Sequence, residues 1–128
     1  MQLNGLAAMT TLPLDLVDRC IGDHDIVSAI PVETDRPVYE SILVATQSRI
    51  GVVSRRRGVP DGLAVRWSSW DTVRLGAHVC ASETADVSAP FGLVVHIGGR
   101  AYLALLDGSA GRAALRDFVV ATQAGQHA

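Results

Sequence analysis

Short segments rich in β-branched and aliphatic residues follow one another along most of this chain, and each is bounded by residues that favour turns. In Thr72–Cys80, for example, apolar residues such as Val73 and Leu75 alternate with polar ones, which is the period of a strand with one buried face. The segments are joined by tight connections, and this pattern predicts a mainly β fold, an antiparallel seven-stranded sandwich or partly open barrel. The predicted strands are Asp25–Glu33, Tyr39–Gln47, Arg49–Arg55, Leu63–Trp70, Thr72–Cys80, Phe91–Ile97 and Arg100–Leu106.

The two ends of the chain carry apolar residues at helical spacing instead of strand spacing. At the start, the spacing predicts a short helix over residues 12–21, with Gly22 as its C-cap. At the end, it predicts an amphipathic helix over residues 109–123, which Gly125 terminates. This second helix must bury its apolar stripe, so we expect it to cap one open end of the sandwich. The stripe consists of Leu115, Phe118, Val119 and Thr122.

The length of 128 residues is typical of one domain. We place that domain at residues 12–124, between tails at 1–11 and 125–128. Hydrophobic residues make up 48% of the chain and charged residues 19%, a balance that argues against intrinsic disorder. The apolar runs are short, such as Ile42–Ala45, so no transmembrane segment is expected.

The expected compartment is the cytoplasm. No Arg or Lys precedes Arg19, so the charged start of a secretory signal is missing. Cys20 and Cys80 lie far apart and form no CxxC pair, which favours reduced, buried thiols. All 11 basic residues are Arg, a composition typical of a GC-rich genome such as that of an actinobacterium.

Charge is distributed unevenly, although the net charge is only −2. Seven acids and two Arg give residues 1–48 a charge of −5, and six Arg and two Asp give residues 49–74 a charge of +4. This asymmetry indicates either an interaction surface or neighbouring strands that neutralise each other. Because the net charge is close to zero, we expect no nucleic-acid partner.

Three segments resemble motifs of the small bacterial pleckstrin-homology-like domains. Residues 42–53 (ILVATQSRIGVV) are similar to the family's L-V-T-D/N-R-R-L hairpin, with Gln47 and Ser48 in place of the usual acidic or Asn residue and first Arg. Residues 67–75 (WSSWDTVRL) are similar to the family's I-P-W-x-D-I-x-x-V step, and residues 111–120 to its closing A-x-x-L-x-x-F-V helix. The resemblance covers about residues 12–123.

The resemblance implies a binding module more than an enzyme. Eukaryotic members of this superfold bind phosphoinositides, phosphopeptides or protein partners, and some bacterial members are thought to act as interaction or assembly modules. Because a fold does not determine a function, the site must be argued from its residues.

Arginines provide the candidate ligand-binding residues. Arg55, Arg56 and Arg57 are adjacent in a predicted loop and could bind a phosphate or an acidic peptide through bidentate contacts, together with Arg36 in the first interstrand loop. The alternative is a solvated basic turn that binds nothing. Trp67, with Arg66 and Arg74, is a candidate partner-binding surface, although packing in the core is the more ordinary role for a tryptophan.

Other clusters favour structural roles. Asp23, His24 and Asp25 are consecutive, so their side chains cannot easily converge on one ion, and no metal or other cofactor is expected. His78 and Cys80 lie two residues apart on one predicted strand, about 7 Å apart, too far for the hydrogen bond that would activate a thiolate. Catalysis by that pair stays a remote alternative.

We therefore expect a non-catalytic binding or scaffold domain whose ligand is a protein segment or a second copy of the chain. The alternative is the binding of anionic lipid head groups or phosphorylated ligands through Arg36 and Arg55–Arg57.

Overall fold

The alternating segments pair with their neighbours in sequence and form two antiparallel sheets. The structure, a computed structural model, describes residues 17, 19, 21–22, 26–59, 62–76, 91–106 and 108–127. The first sheet has the order β1-β2-β3-β4, and the second has the order β5-β6-β7. The strands are β1 (Ile26–Val32), β2 (Tyr39–Thr46), β3 (Arg49–Arg56), β4 (Ala64–Ser69), β5 (Val73–Leu75), β6 (Phe91–Ile97) and β7 (Arg100–Leu106).

Among the described residues, the strands form two separate sheets and do not close into a barrel. On one side a bridge joins them, in which the amide of Glu33 donates to the carbonyl of Leu103 at 2.7 Å and the amide of Leu103 donates to the carbonyl of Glu33 at 2.8 Å. On the other side a 3-10 turn, Trp70–Thr72, leads the chain from β4 into β5. The sequence-based expectation of an antiparallel, mainly β sandwich is therefore confirmed.

The inner faces of the two sheets and the C-terminal helix α1 (Gly108–His127) enclose the main core. Leu115 and Phe118 on α1 have no exposed surface, and Ala121 is 6% exposed. Leu115, Phe118 and Ala121 follow one another at intervals of three residues, which places them on one face of the helix. The predicted capping helix is thus confirmed, together with its buried stripe.

The end of α1 differs from the prediction, because Gly125 does not terminate the helix. The helix continues to His127, and at Gly125 its backbone packs against the indole ring of Trp70, so that a Cβ added there would overlap that ring. One residue later, Nε2 of Gln126 donates to the carbonyl of Val73 at 2.8 Å. This glycine is therefore needed for a close helix–ring contact, which sequence patterns do not distinguish from a helix stop.

A second apolar cluster covers the outer face of the first sheet. It contains Val17 and Ile21, both of which have helical backbone, and Gly22 follows with φ of 72° as expected of a C-cap. The rest of the helix predicted over 12–21 lies outside the described residues. The sheet contributes Ile42, Val44 and Val53 to this cluster.

Two other local predictions concern the turn between β6 and β7 and the start of the fifth strand. The turn between β6 and β7 has positive φ at both Gly98 (54°) and Gly99 (90°), as a two-residue primed hairpin turn requires. The fifth strand starts at Val73 instead of Thr72, because Thr72 belongs to the 3-10 turn, where its hydroxyl donates to the carbonyl of Ser69. Its predicted continuation over 77–80 lies outside the described residues.

Candidate ligand-binding cleft

The three adjacent arginines at the end of β3 have different environments. Arg55 lies opposite Glu40 on β2, and its Nη2 donates to Oε2 of Glu40 at 2.9 Å. Nη1 of Arg57 reaches the other carboxylate oxygen, Oε1, at 3.4 Å. The side chains of Arg55 and Glu40 are only 15% and 10% exposed. Two of these three adjacent arginines therefore contact a carboxylate of the chain itself.

Arg56 leaves the strand on the opposite face from Arg55, because successive residues of a strand alternate in direction. It lies opposite Tyr39 and is exposed to solvent. The basic triplet is thus divided between two faces of the sheet, and this division follows from strand geometry.

A cleft of about 710 Å³ opens between the two sheets, on the side where the loop between β1 and β2 and the turn between β6 and β7 meet. Three arginines line it: Arg36 from that loop, Arg66 from β4 and Arg100 from the start of β7. All three are exposed. Pockets of a few hundred to about 1,000 Å³ are typical of ligand sites. The structure therefore brings Arg36 together with two arginines that are distant from it in sequence.

Hydroxyl groups and apolar side chains form the inner wall of the cleft. Ser41 on β2 and Ser54 on β3 are a cross-strand pair, and their Oγ atoms lie 3.0 Å apart. A bond between two hydroxyls uses one proton, so the other O–H can donate to a ligand. Val52 and Tyr102, which are 7% and 5% exposed, also line the cleft and belong to the main core. The wall can thus receive both an acceptor oxygen and apolar groups.

The backbone around Arg36 is fixed by local hydrogen bonds. The amide of Arg36 donates to Oγ1 of Thr34 at 3.1 Å, and the Thr34 hydroxyl donates to the carbonyl of Arg36 at 3.3 Å. The amide of Tyr39 donates to the same carbonyl at 3.1 Å. Such a turn holds the loop in one conformation at the mouth of the cleft. Asp35, also in the lining, adds one negative charge beside the three positive ones.

The predicted partner-binding residues do not form one surface. Arg66 lines the cleft, whereas Trp67 is partly buried and packs against the outer apolar cluster. A Cβ added to Gly51 would lie 2.9 Å from Cζ3 of Trp67, so the ring lies directly on that glycine. The guanidinium carbon of Arg49 lies 4.7 Å from the centre of the ring, a cation–π distance. Trp67 is therefore engaged in packing.

Arg74, the last residue of that predicted surface, is exposed beside the 3-10 turn. Its Nη1 donates to the carbonyls of Asp71 at 3.2 Å and Val73 at 3.1 Å. These contacts stabilise the turn between the two sheets.

The described residues provide neither a metal-binding cluster nor a membrane-spanning helix. Within the described ranges, no group of three or more His, Cys, Asp and Glu side chains could hold a metal ion. The Asp23–Asp25 cluster and the His78/Cys80 pair lie outside those ranges. Of the described helices, none combines the length and apolar character needed to cross a bilayer.

No protein-family model, curated protein or solved structure matches the chain. The cleft must therefore be interpreted from its own residues. Sequence reasoning identified Arg36 and Arg66 but missed Arg100, Ser41 and Ser54. A usable signal was present for the serines, since Ser41 continues the inward alternation of Leu43 and Ala45 on β2, and Ser54 continues that of Ile50 and Val52 on β3. Arg100 directly follows the Gly98-Gly99 turn, and its neighbourhood depends on how the two sheets pack.

Proposed function

We propose that this chain is a non-catalytic binding domain of pleckstrin-homology-like fold, and that it binds an anionic segment of a protein partner in the cleft between the sheets. One observation carries the proposal: Arg36, Arg66 and Arg100 come from three separate elements and line a single cleft. Arginine is the residue best suited to bind a carboxylate or phosphate through two parallel hydrogen bonds.

The composition of the cleft favours a protein segment over a membrane surface. A membrane presents many charges over a wide area, and proteins that bind it use a broad basic surface. Here the positive side chains are interrupted by Asp35 in the cleft, and Glu33 nearby is exposed. Apolar lining from Val52 and Tyr102 suits a segment that carries apolar side chains next to its acidic or phosphorylated residue.

Fluorescence anisotropy with a labelled peptide tests this proposal. The probe is a decapeptide with one phosphoserine flanked by Leu and Glu, and the comparison probes are its unphosphorylated form and vesicles with 30% phosphatidylserine. We expect binding of the phosphopeptide that weakens with salt, and at least a tenfold loss of affinity in the combined variant Arg36→Ala/Arg66→Ala/Arg100→Ala.

The matched control is Arg19→Ala/Arg56→Ala/Arg116→Ala, which removes the same charge from three exposed residues that do not line the cleft. Equal losses in the two triple variants would show a general charge effect and contradict the proposal. Binding of the vesicles, with none of the peptide, would contradict the assignment to a protein segment and favour an anionic lipid ligand.

A further inference from the structure

Arg57 links the β2–β3 hairpin to the loop that carries Arg36. Its Nε donates to the carbonyl of Pro37 at 2.8 Å, and its backbone amide donates to the carbonyl of Val38 at 2.7 Å. The loop between β1 and β2 is thus attached to the far end of β3 through one residue.

Glu40 fixes the direction of the Arg57 side chain. Oε1 of Glu40 accepts from Nη1 of Arg57 at 3.4 Å, while Oε2 accepts from Nη2 of Arg55 at 2.9 Å. Because the Glu40 side chain is only 10% exposed and Arg55 15%, this carboxylate has little freedom to move. The planar guanidinium of Arg57 can therefore contact Glu40 with one edge and Pro37 with another.

The contact at Pro37 extends directly to Arg36. Pro37 follows Arg36 in the chain, and the carbonyl of Arg36 accepts a hydrogen bond from the amide of Tyr39. The loop around Arg36 is consequently closed from both sides, by Tyr39 on β2 and by Arg57 after β3. Its conformation depends on a residue that does not line the cleft.

We infer that Arg57, oriented by Glu40, is a positioning residue that presents Arg36 to the anionic ligand. This inference rests on the proposed function. It assigns Arg57 a task different from the direct ligand contact that its place in the basic triplet predicts. A loop held in its binding conformation loses less entropy when the ligand binds, and this gain appears as affinity.

Three variants separate positioning from charge. Arg57→Ala removes the side-chain contacts to Pro37 and Glu40. Arg57→Lys keeps the charge but lacks the guanidinium, whose separate N–H groups contact both Pro37 and Glu40. Arg56→Ala removes the same charge from the neighbouring exposed residue. We expect the affinity for the phosphopeptide probe to fall about tenfold in both Arg57 variants and to stay within twofold in Arg56→Ala.

Hydrogen exchange of the Tyr39 amide gives a readout that requires no ligand. That amide donates to the carbonyl of Arg36, so we expect its exchange to accelerate about tenfold in Arg57→Ala and to be unchanged in Arg56→Ala. Because the Arg57 side chain is 56% exposed, its loss should leave the core folded. Core amides such as that of Val44, on the paired β2 strand, should then keep their protection.

The two proposals fail in different ways. If the Arg36/Arg66/Arg100 variant binds the probe as the natural chain does, the proposed function is wrong. Suppose instead that the Arg36/Arg66/Arg100 variant loses binding of the probe. If either Arg57→Ala or Arg57→Lys then binds the probe with the affinity of the natural chain, the positioning role is wrong and the proposed function stands.

Discussion

Arg55 and Glu40 face each other across β2 and β3 and form an ion pair at 2.9 Å that is largely withdrawn from solvent. This pair separates two kinds of arginine in the molecule. Arg55 and Arg57 are engaged with a carboxylate of the same chain, whereas Arg36, Arg66 and Arg100 line a cleft with their charges exposed. The three arginines of the second set share one cleft and are exposed to an external anion.

Loss of the Glu40 carboxylate should destabilise the protein. In Glu40→Gln, the Arg55 side chain, which is only 15% exposed, would keep its charge beside a neutral amide. The variant should lose about 2 kcal/mol of unfolding free energy in urea denaturation. Glu33→Gln, at an exposed position, should change the free energy by less than about 0.5 kcal/mol. Equal stability of the two variants would show that the ion pair contributes nothing net.

Gly125→Ala should destabilise the protein, although alanine is the better helix former. An unhindered substitution inside a helix would stabilise it by about 1 kcal/mol, but the added Cβ would overlap the ring of Trp70 and force the helix away. We expect a net loss of about 1–3 kcal/mol in urea denaturation. The control is Ala113→Gly at an exposed position of the helix, which measures the difference in helix propensity between alanine and glycine alone. A Gly125→Ala variant more stable than the natural chain would contradict the close contact with Trp70.

Trp67→Leu should reduce stability without changing affinity for the phosphopeptide probe. The smaller side chain would leave Gly51 uncovered and remove the contact with Arg49, and we expect a loss of about 1–2 kcal/mol. Val120→Ala, at a site that is 59% exposed, is the stability control. A Trp67→Leu variant that keeps its stability but no longer binds the phosphopeptide probe would instead show that Trp67 contacts the ligand.

Ser41→Ala should lower the affinity for the phosphopeptide probe while leaving the fold intact. It removes one of the two serine hydroxyls on the inner wall of the cleft, and the loss of a hydrogen bond to a charged ligand corresponds to a loss of about tenfold in affinity. Ser48→Ala, in the exposed turn between β2 and β3, should bind like the natural chain. Undiminished binding by Ser41→Ala would place the anion away from the wall formed by Ser41 and Ser54.

Local periodicity was sufficient to predict most of the fold. Alternation located the strands, and the stripe of Leu115 and Phe118 identified the capping helix, because both patterns depend only on the residues themselves. Gly125 could not be interpreted in the same way. Its contact with Trp70 joins residues 55 positions apart, and no local pattern records such a contact.

The site was only partly predictable for the same reason. The density of arginine indicated residues 55–57, but strand pairing placed Arg55 opposite Glu40. Arg100 lies in the cleft with Arg36 only because the bridge between Glu33 and Leu103 holds β7 against the end of β1. The order of residues shows where charge lies along a chain, whereas pairing between distant strands determines which of those charges have a partner of opposite sign.

The most direct test of the account is a ¹H–¹⁵N titration of the natural chain with the phosphoserine decapeptide, followed amide by amide. We predict that the largest shift changes occur at Thr34–Arg36, Arg66 and Gly99–Tyr102, which line the cleft, and that Arg55 and Arg56 change little. Changes centred on Arg55 and Arg56, or none up to millimolar peptide, would contradict the assignment of the cleft as the binding site.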